Sequence, residues 1–235
     1  MSHVARQIAE NLAQVRQRIA AAAARSGRKK DAITLVAATK YVTAEIAAAV
    51  VAAGCSDLGE SRPQELWAKA AALSDPNIHW HLIGHLQRNK LRRTLPLVSL
   101  VHSVDSQRLL AAIQDEAALA GQVVPVLLEV NISGDATKTG LAPNELEPLL
   151  AQAAQLEHIR VRGLMGMASL EGNDAAARQD FVNQRTLRDQ LAKNTPPKVT
   201  LTELSMGMSG DFEIAIEEGA TIVRLGSILF EGVES

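Results

Sequence analysis

The stretch "ITLVAATKYV", residues 33–42, is a run of apolar and β-branched residues that meets a lysine near its end. Such a run predicts a strand that is buried on both faces, as strands are in a parallel sheet covered by helices. Lysine is among the residues least often buried without a partner. Lys40, at the predicted end of this strand, is therefore either extended towards solvent, paired with an acid, or present for its nitrogen.

Seven similar runs follow, at residues 55–60, 79–84, 98–104, 123–132, 159–167, 200–207 and 221–230. Segments with helical character lie between them, at 44–53, 63–73, 106–120, 143–156, 175–192 and 209–218, and an alanine-rich amphipathic helix is predicted at 4–26. This alternation predicts parallel strands joined by crossover helices. Eight such units close a (β/α)₈ TIM barrel, here preceded by an N-terminal helix. The alternative is an open doubly wound sheet, but "ATKYVTAE" (38–45) lacks the glycine-rich turn that this fold places after its first strand.

Composition indicates an ordinary globular protein of 235 residues with 47% hydrophobic residues and a net charge of −2. We expect one domain over 1–235, with 1–30 as N-terminal helix and lead-in, and none after the eighth strand. The charge gives no electrostatic reason to expect nucleic acid or a membrane as partner, and we interpret the basic cluster "RNKLRR" (88–93) as a solvated helix face. The single cysteine, Cys55, and the lack of a signal peptide favour the cytoplasm. We expect a monomer.

Polar residues and glycines follow several predicted strands, where a barrel carries its active site. An amine at Lys40 that is desolvated by apolar walls would attack a carbonyl carbon. Ser209 is predicted to cap the next helix, and the glycines at 207 and 210 would let backbone N–H groups approach a phosphate. Asp211 and Glu213, in the first turn of that helix, would repel a phosphate unless they face away from it.

Arg224 lies inside the last predicted strand, between Val223 and Leu225, so it points to the opposite side from these neighbours. An arginine inside a barrel must be paired or must face a ligand. Gly226 and Ser227 follow it in the loop that this fold commonly uses for phosphate. A carbonyl-seeking lysine, an anion site and an arginine together suit a phosphorylated aldehyde, of which pyridoxal 5′-phosphate (PLP) is the commonest.

Over essentially its whole length the chain resembles the pyridoxal phosphate homeostasis proteins, single-domain relatives of the alanine racemase N-terminal barrel. The segments that carry the resemblance are "LVAATK", "GESRPQE", "HWHLIGHLQRNK", "VHSVDS", "LLEVNISGDATKTGL", "RGLMGMA" and "LSMGMSGDFEIAIEEGATIVRLGSILF". The resemblance implies that Lys40 carries PLP as an internal aldimine and that Arg224 faces the pyridine nitrogen. It further implies a binding set that comprises Ser61, His81, Met165, Ser205, Met206, Gly207, Met208, Ser209, Gly226 and Ser227, with the phosphate held at 207–209 and 226–227.

Three positions depart from the usual pattern of the family, and a fourth matches it. Ser61 stands where the family usually has an asparagine, and a hydroxyl cannot reproduce the reach of an amide. Tyr41 follows the lysine where a small hydroxyl residue is commoner, and Ser227 replaces a common threonine. Lys138 matches a lysine often present in that loop, where a solvated loop lysine and a role in cofactor traffic are both open.

The resemblance implies a carrier that delivers PLP, with PLP-dependent apoenzymes as partners, and that takes part in vitamin B6 and amino-acid homeostasis. Racemisation needs two acid/base groups on opposite sides of the substrate carbon. The only tyrosine, Tyr41, is adjacent to Lys40 and would point to the other side of the strand. We therefore expect no efficient catalysis, with a weak racemase or a lysine-dependent aldolase as alternatives, the latter needing Glu60 or His81 as its acid/base. His79 and His81 lack further ligands at a metal-site spacing, so no metal is expected.

Overall fold

The computed structural model describes residues 2–132, 139–169 and 173–233. Its eight strands are all parallel and pair in chain order, and β8 pairs with β1 to close a barrel. The strands are β1 (Thr34–Ala38), β2 (Asp57–Glu60), β3 (His79–Leu82), β4 (Val98–Val104), β5 (Val124–Glu129), β6 (Ile159–Met165), β7 (Glu203–Ser205) and β8 (Ile222–Leu225). The predicted TIM barrel with an N-terminal helix is confirmed.

Helices surround the barrel and connect its strands. They are α1 (His3–Arg25), α2 (Ala44–Ala52), α3 (Pro63–Ala72), α4 (Leu91–Thr94), α5 (Gln107–Leu119), α6 (Leu146–Ala153), α7 (Asp174–Ala192) and α8 (Phe212–Glu217). The side chains of Thr43, Ser106 and Asn173 accept hydrogen bonds from backbone N–H groups in the first turns of α2, α5 and α7. These caps satisfy N–H groups that have no partner within the helix. No helix among the described residues is long and apolar enough to cross a membrane.

The barrel has a large apolar core outside its strands and a small one inside. The outer core packs the strands against the helices. The inner cluster contains one residue from each of five strands, namely Val36, Leu100, Leu127, Met165 and Ile222. Buried polar side chains of β3, β4, β7 and β8 accompany this cluster. The interior is therefore only partly apolar, and its polar part leads to the residues predicted to bind a ligand.

The N-terminal helix braces the loops that follow β7 and β8. Asn11 of α1 is buried, and its Nδ2 donates hydrogen bonds to the backbone oxygens of Leu229, at 3.1 Å, and Glu231, at 2.9 Å. Arg18 of α1 forms an ion pair with Glu213 of α8 at 2.8 Å. Helix α1 thus holds the segment after Ser227 on one side and α8 on the other.

Several predicted boundaries differ from those of the structure, and two of these differences matter for the site. Strand β1 ends at Ala38, so Lys40 lies in the turn beyond it. The ladder continues only as far as Thr39, whose N–H donates to the Gly59 oxygen at 2.9 Å. Helix α8 begins at Phe212 with Asp211 as its N-cap residue, so Ser209 does not cap it.

Candidate functional site

Lys40 is exposed at the carboxyl-terminal mouth of the barrel. Its Nζ lies 4.8 Å from the centre of the Tyr41 ring, and the Tyr41 side chain is itself 81% exposed. The expected apolar walls around this amine are therefore absent from the described structure. The amine is instead open to solvent at the point where a ligand would enter.

A buried ion pair lies directly beneath Lys40. Lys69 of α3 donates from its Nζ to the backbone oxygen of Thr39 and to Oε1 of Glu60, both at 2.6 Å. The Thr39 hydroxyl donates to the same carboxylate oxygen at 2.5 Å. All three residues are buried, and Oε2 of Glu60 has no hydrogen-bond partner among the described residues. This arrangement fixes the Thr39–Lys40 peptide, and it engages one oxygen of the Glu60 carboxylate, a group that was a candidate acid/base for the aldolase alternative.

The guanidinium of Arg224, a residue of β8, is buried and lies at the carboxyl-terminal ends of β6 and β7. Its Nη1 donates to the backbone oxygen and the Oγ of Ser205, at 2.7 and 2.6 Å, and its Nη2 donates to the Gly166 oxygen at 3.0 Å. Burial lowers the pKa of Arg224 to about 10, which still leaves it charged at neutral pH. A guanidinium has five N–H donors. Within the described part of the chain only three of them are engaged, so two remain for a ligand.

Two loops at this mouth offer backbone N–H groups that no atom of the described residues accepts. The first loop follows β7 at residues 207–210 and the second follows β8 at 226–228. The Gly226 N–H donates to Ser209 Oγ at 3.2 Å and so joins the two loops. In the described ranges, the N–H groups of Ser209, Gly210, Ser227 and Ile228 make no hydrogen bond to the protein. A concentration of free backbone donors on adjacent loops is suited to an anion.

The conformation of the first loop depends on Gly207. Its φ is +94°, a backbone conformation that residues other than glycine rarely adopt. A Cβ at this position would lie 2.6 Å from the Cβ of Ala215. The Gly207 oxygen accepts a hydrogen bond from the Arg224 N–H at 3.0 Å. Glycine is therefore needed at this position both for the turn and for its close contact with α8.

The two acids that were expected to repel a phosphate, Glu213 and Asp211, have different surroundings. Glu213 is paired with Arg18 and faces α1, so its charge is directed away from the loops. Asp211 accepts a hydrogen bond at its Oδ1 from the Met208 N–H at 2.6 Å. Burial raises the pKa of Asp211, against the smaller lowering effects of that hydrogen bond and of Arg224. Asp211 thus stays hydrogen-bonded within the first loop, next to its free N–H groups, and burial works against its negative charge there.

The remaining predicted residues lie at or beneath the mouth. Met165, at the end of β6, and Met206, after β7, are buried. Ser61 is half-buried. Its backbone packs closely on Gly84, and a Cβ at position 84 would collide with the Ser61 backbone. Lys138 lies outside the described residues.

His81 and Ser205 belong to a hydrogen-bonded series across the barrel interior. His81 contacts Asp57 through Nε2 and His102 through Nδ1, and His102 in turn contacts Ser205. Both ring nitrogens of His81 are therefore engaged by protein atoms, which leaves neither of them open for a hydrogen bond to a ligand. No group of three or more His, Cys, Asp or Glu side chains in the described structure is placed to hold a metal ion.

Sequence reasoning did not identify Glu129 or His102. Glu129 is the last residue of β5 and is buried, and its Oε1 accepts a hydrogen bond from the Thr139 hydroxyl at 2.9 Å. Burial raises its pKa, while Thr139 and the charge of Arg224 act in the opposite direction. In the sequence, Glu129 has the same feature as Lys40, because it is a charged residue near the end of an apolar run. His102 lies within such a run and gave no comparable signal.

Comparison with known proteins shows which family the chain resembles in sequence. Residues 5–233 match the family model of the alanine racemase N-terminal domain. The pyridoxal phosphate homeostasis protein of Aquifex aeolicus is 41% identical over 221 residues, which cover 94% of this chain and 96% of that protein.

Two solved structures extend the comparison to three dimensions. An unknown protein from Bifidobacterium adolescentis is 38% identical, with a TM-score of 0.91 over 98% of this chain and 97% of the other. PipY of Synechococcus elongatus PCC7942, solved with PLP bound, is 36% identical, with a TM-score of 0.84 over 95% of this chain and 99% of the other. This chain is a member of the pyridoxal phosphate homeostasis protein family, built on the alanine racemase N-terminal barrel.

Proposed function

We propose that this protein binds PLP covalently through Nζ of Lys40 and delivers it to PLP-dependent apoenzymes in the cytoplasm, as part of vitamin B6 and amino-acid homeostasis. PLP supplies an aldehyde that condenses with an amine, with loss of water, and a phosphate that needs hydrogen-bond donors. The observation that carries the proposal is that an open amine, free backbone donors and a charged arginine with unused N–H groups share one mouth of the barrel. PipY, the relative solved with PLP, adds support.

The phosphate would be held by the two loops at 207–210 and 226–228. Their free N–H groups and the Ser209 and Ser227 hydroxyls match an acceptor with several oxygen atoms. The short helix α8 is not needed for this role, because the donors belong to the loops themselves. Gly207 and Gly226 allow the backbone to approach the ligand.

The pyridine ring would lie against Met165 and Ser205, with Ser61 at its edge and Arg224 beside the ring nitrogen. A cation at that nitrogen disfavours its protonation. An unprotonated ring is a weaker electron sink, and transamination and decarboxylation depend on that sink. The position of Arg224 therefore supports binding without efficient catalysis.

The surroundings of Lys40 support the same conclusion. Tyr41 is exposed beside the amine, Glu60 is bound to Lys69, and His81 has both nitrogens engaged. Among the described residues these were the candidates for a second acid/base, and two of them, Glu60 and His81, are engaged in hydrogen bonds within the protein. An exposed amine also allows exchange of the cofactor with an incoming amine, which a carrier needs.

The test is the visible absorption spectrum of the protein with added PLP. We expect a violet-absorbing band in the wild type that borohydride fixes, and mass spectrometry of the digested protein should place the added mass on Lys40. The Lys40→Ala variant should lack both, whereas Lys29→Ala, which removes an exposed lysine before β1, should retain them. A band of equal strength in Lys40→Ala would refute the assignment.

Delivery and catalysis are separated by two additions to the loaded protein. A PLP-dependent apoenzyme should regain activity at the expense of the violet band. L-Alanine should produce no racemisation at an enzyme-like rate of about 1 s⁻¹ or more. Racemisation at such a rate would favour the racemase alternative, while binding without transfer to any apoenzyme would refute the carrier role.

A further inference from the structure

Five buried or half-buried side chains connect the two ends of the barrel, and we name them the interior chain. They are Asp57, His81, His102, Ser205 and Arg224, contributed by β2, β3, β4, β7 and β8. The successive distances are 3.1 Å from Asp57 Oδ1 to His81 Nε2, 2.9 Å from His81 Nδ1 to His102 Nε2, 2.9 Å from His102 Nδ1 to Ser205 Oγ, and 2.6 Å from Ser205 Oγ to Arg224 Nη1. Asp57 is the first residue of β2 and Ser205 the last of β7, so the chain crosses the barrel lengthwise.

The chemistry of the two ends sets the direction of every hydrogen bond between them. Arg224 can only donate, so Ser205 Oγ accepts from it and has its own proton for His102 Nδ1. An ionised Asp57 can only accept, so His81 donates from Nε2 and accepts at Nδ1 from His102. Both histidines are then neutral and protonated at Nε2 alone. Burial is the largest of the effects that hold the pKa of His102 well below its usual value, which agrees with a neutral ring.

We propose that Ser205, His102 and His81 are positioning residues for Arg224, and that Asp57, at the opposite end of the barrel, fixes the histidine tautomers that this role requires. Each histidine presents one donor and one acceptor, and only one order of the two satisfies every atom. If His102 carried its proton on Nδ1, Ser205 would face two donors and its hydroxyl proton would lack this acceptor. The guanidinium would then share the Ser205 hydroxyl with a second donor, and only the backbone oxygens of Ser205 and Gly166 would remain to hold it as before.

The first test reads the tautomers without any ligand. Nitrogen-15 NMR of histidine-labelled protein distinguishes protonated from unprotonated ring nitrogens. We expect His81 and His102 to be protonated at Nε2 only in the wild type, and to show mixed tautomers in Asp57→Ala. His79, which lies 3.3 Å from Asp57 but outside the chain, provides the control, since His79→Gln should leave both tautomers unchanged. A proton on Nδ1 of His102 in the wild type would overturn the proposal.

The second test rests on the proposed function and uses two buried serines. Ser205→Ala breaks the interior chain, whereas Ser103→Ala removes a buried hydroxyl that donates to the Gly84 oxygen outside the chain. We expect Ser205→Ala to bind PLP about tenfold more weakly, the scale of one lost charge-assisted hydrogen bond, and to shift the absorption maximum of bound PLP. Ser103→Ala should do neither at a similar loss of stability.

The outcomes separate the two proposals. If Ser205→Ala loses stability but keeps the affinity and spectrum of the wild type, the positioning role is overturned and the chain is only structural. If the wild type binds no PLP, the proposed function fails, and the NMR spectra alone then decide the interior chain.

Discussion

Replacing Lys69 with methionine should reveal how strongly the buried ion pair beneath Lys40 stabilises the fold. Lys69 is 5% exposed and Glu60 fully buried, and the lysine donates to two oxygens at 2.6 Å. In Lys69→Met the Glu60 carboxylate keeps only the Thr39 hydroxyl as donor, while its Oε2 already lacks a partner among the described residues. A buried charge left without its partner costs about 3–5 kcal/mol.

The free energy of unfolding should therefore fall by about 4 kcal/mol in urea. In a chain of this size about 1 kcal/mol corresponds to roughly 2–4 °C, so the melting temperature should fall by about 10 °C. Lys29→Met, at an exposed lysine, should change the free energy of unfolding by less than about 0.5 kcal/mol. This control removes the same charge without exposing a buried partner.

The double variant Glu60→Gln/Lys69→Met decides whether charge is the cause. Glutamine keeps an acceptor for Thr39 but carries no charge, so the double variant should recover more than half of the loss. A loss below about 1 kcal/mol in Lys69→Met, or a double variant as unstable as the sum of its single changes, would refute the reasoning.

Three further predictions concern charges at or near the barrel ends. Asp211→Asn keeps an acceptor for the Met208 N–H but removes the carboxylate charge near the anion loops. The affinity for PLP should therefore rise about fivefold, which is on the order of 1 kcal/mol. An unchanged dissociation constant would contradict this. Burial, and then the charge of Asp57, raise the pKa of the Cys55 thiol to about 11, so a thiol reagent at pH 8 should label it only after denaturation. For Asp57, burial alone would raise the pKa, but its hydrogen bonds to His81 and His79 and their charges outweigh burial and lower it. Its stabilising effect should thus be full above the unfolded pKa of about 3.9 and be lost as the pH falls towards the folded value, so urea titrations of wild type and Asp57→Asn should converge in acid.

Periodicity predicted the barrel and the burial of Arg224 because both depend on local pattern. Alternating apolar runs and helices specify parallel units, and the Val223–Arg224–Leu225 order specifies which side the guanidinium takes. The partners of Arg224 could not be predicted in this way. His102 and Ser205 are 103 positions apart and meet only once the barrel has closed in a particular register.

The predicted cap at Ser209 was wrong because a competing residue lies two positions further on. Aspartate and serine are both favoured as N-cap residues, so either Asp211 or Ser209 could cap α8 by the sequence alone. The carboxylate of Asp211 takes the Met208 N–H, whereas Ser209 accepts from Gly226 of the next loop. Only the three-dimensional proximity of that loop decides between the two, and the resulting hydrogen bond links Ser209 of the first proposed phosphate loop to the second.

The two buried polar networks lie beneath the groups that would contact PLP, and this division suits a carrier. The Thr39 peptide is held by Lys69 and the Arg224 guanidinium by Ser205, while Lys40 itself is exposed. A rigid base with a solvent-accessible amine can bind PLP in a defined orientation and still release it to another amine. An efficient enzyme would instead need a second acid/base fixed opposite Lys40 and exclusion of water. If Lys40 carries PLP as proposed, the buried charges of this barrel would position the groups that contact the cofactor, and the proposed role is binding and not proton transfer at a substrate carbon.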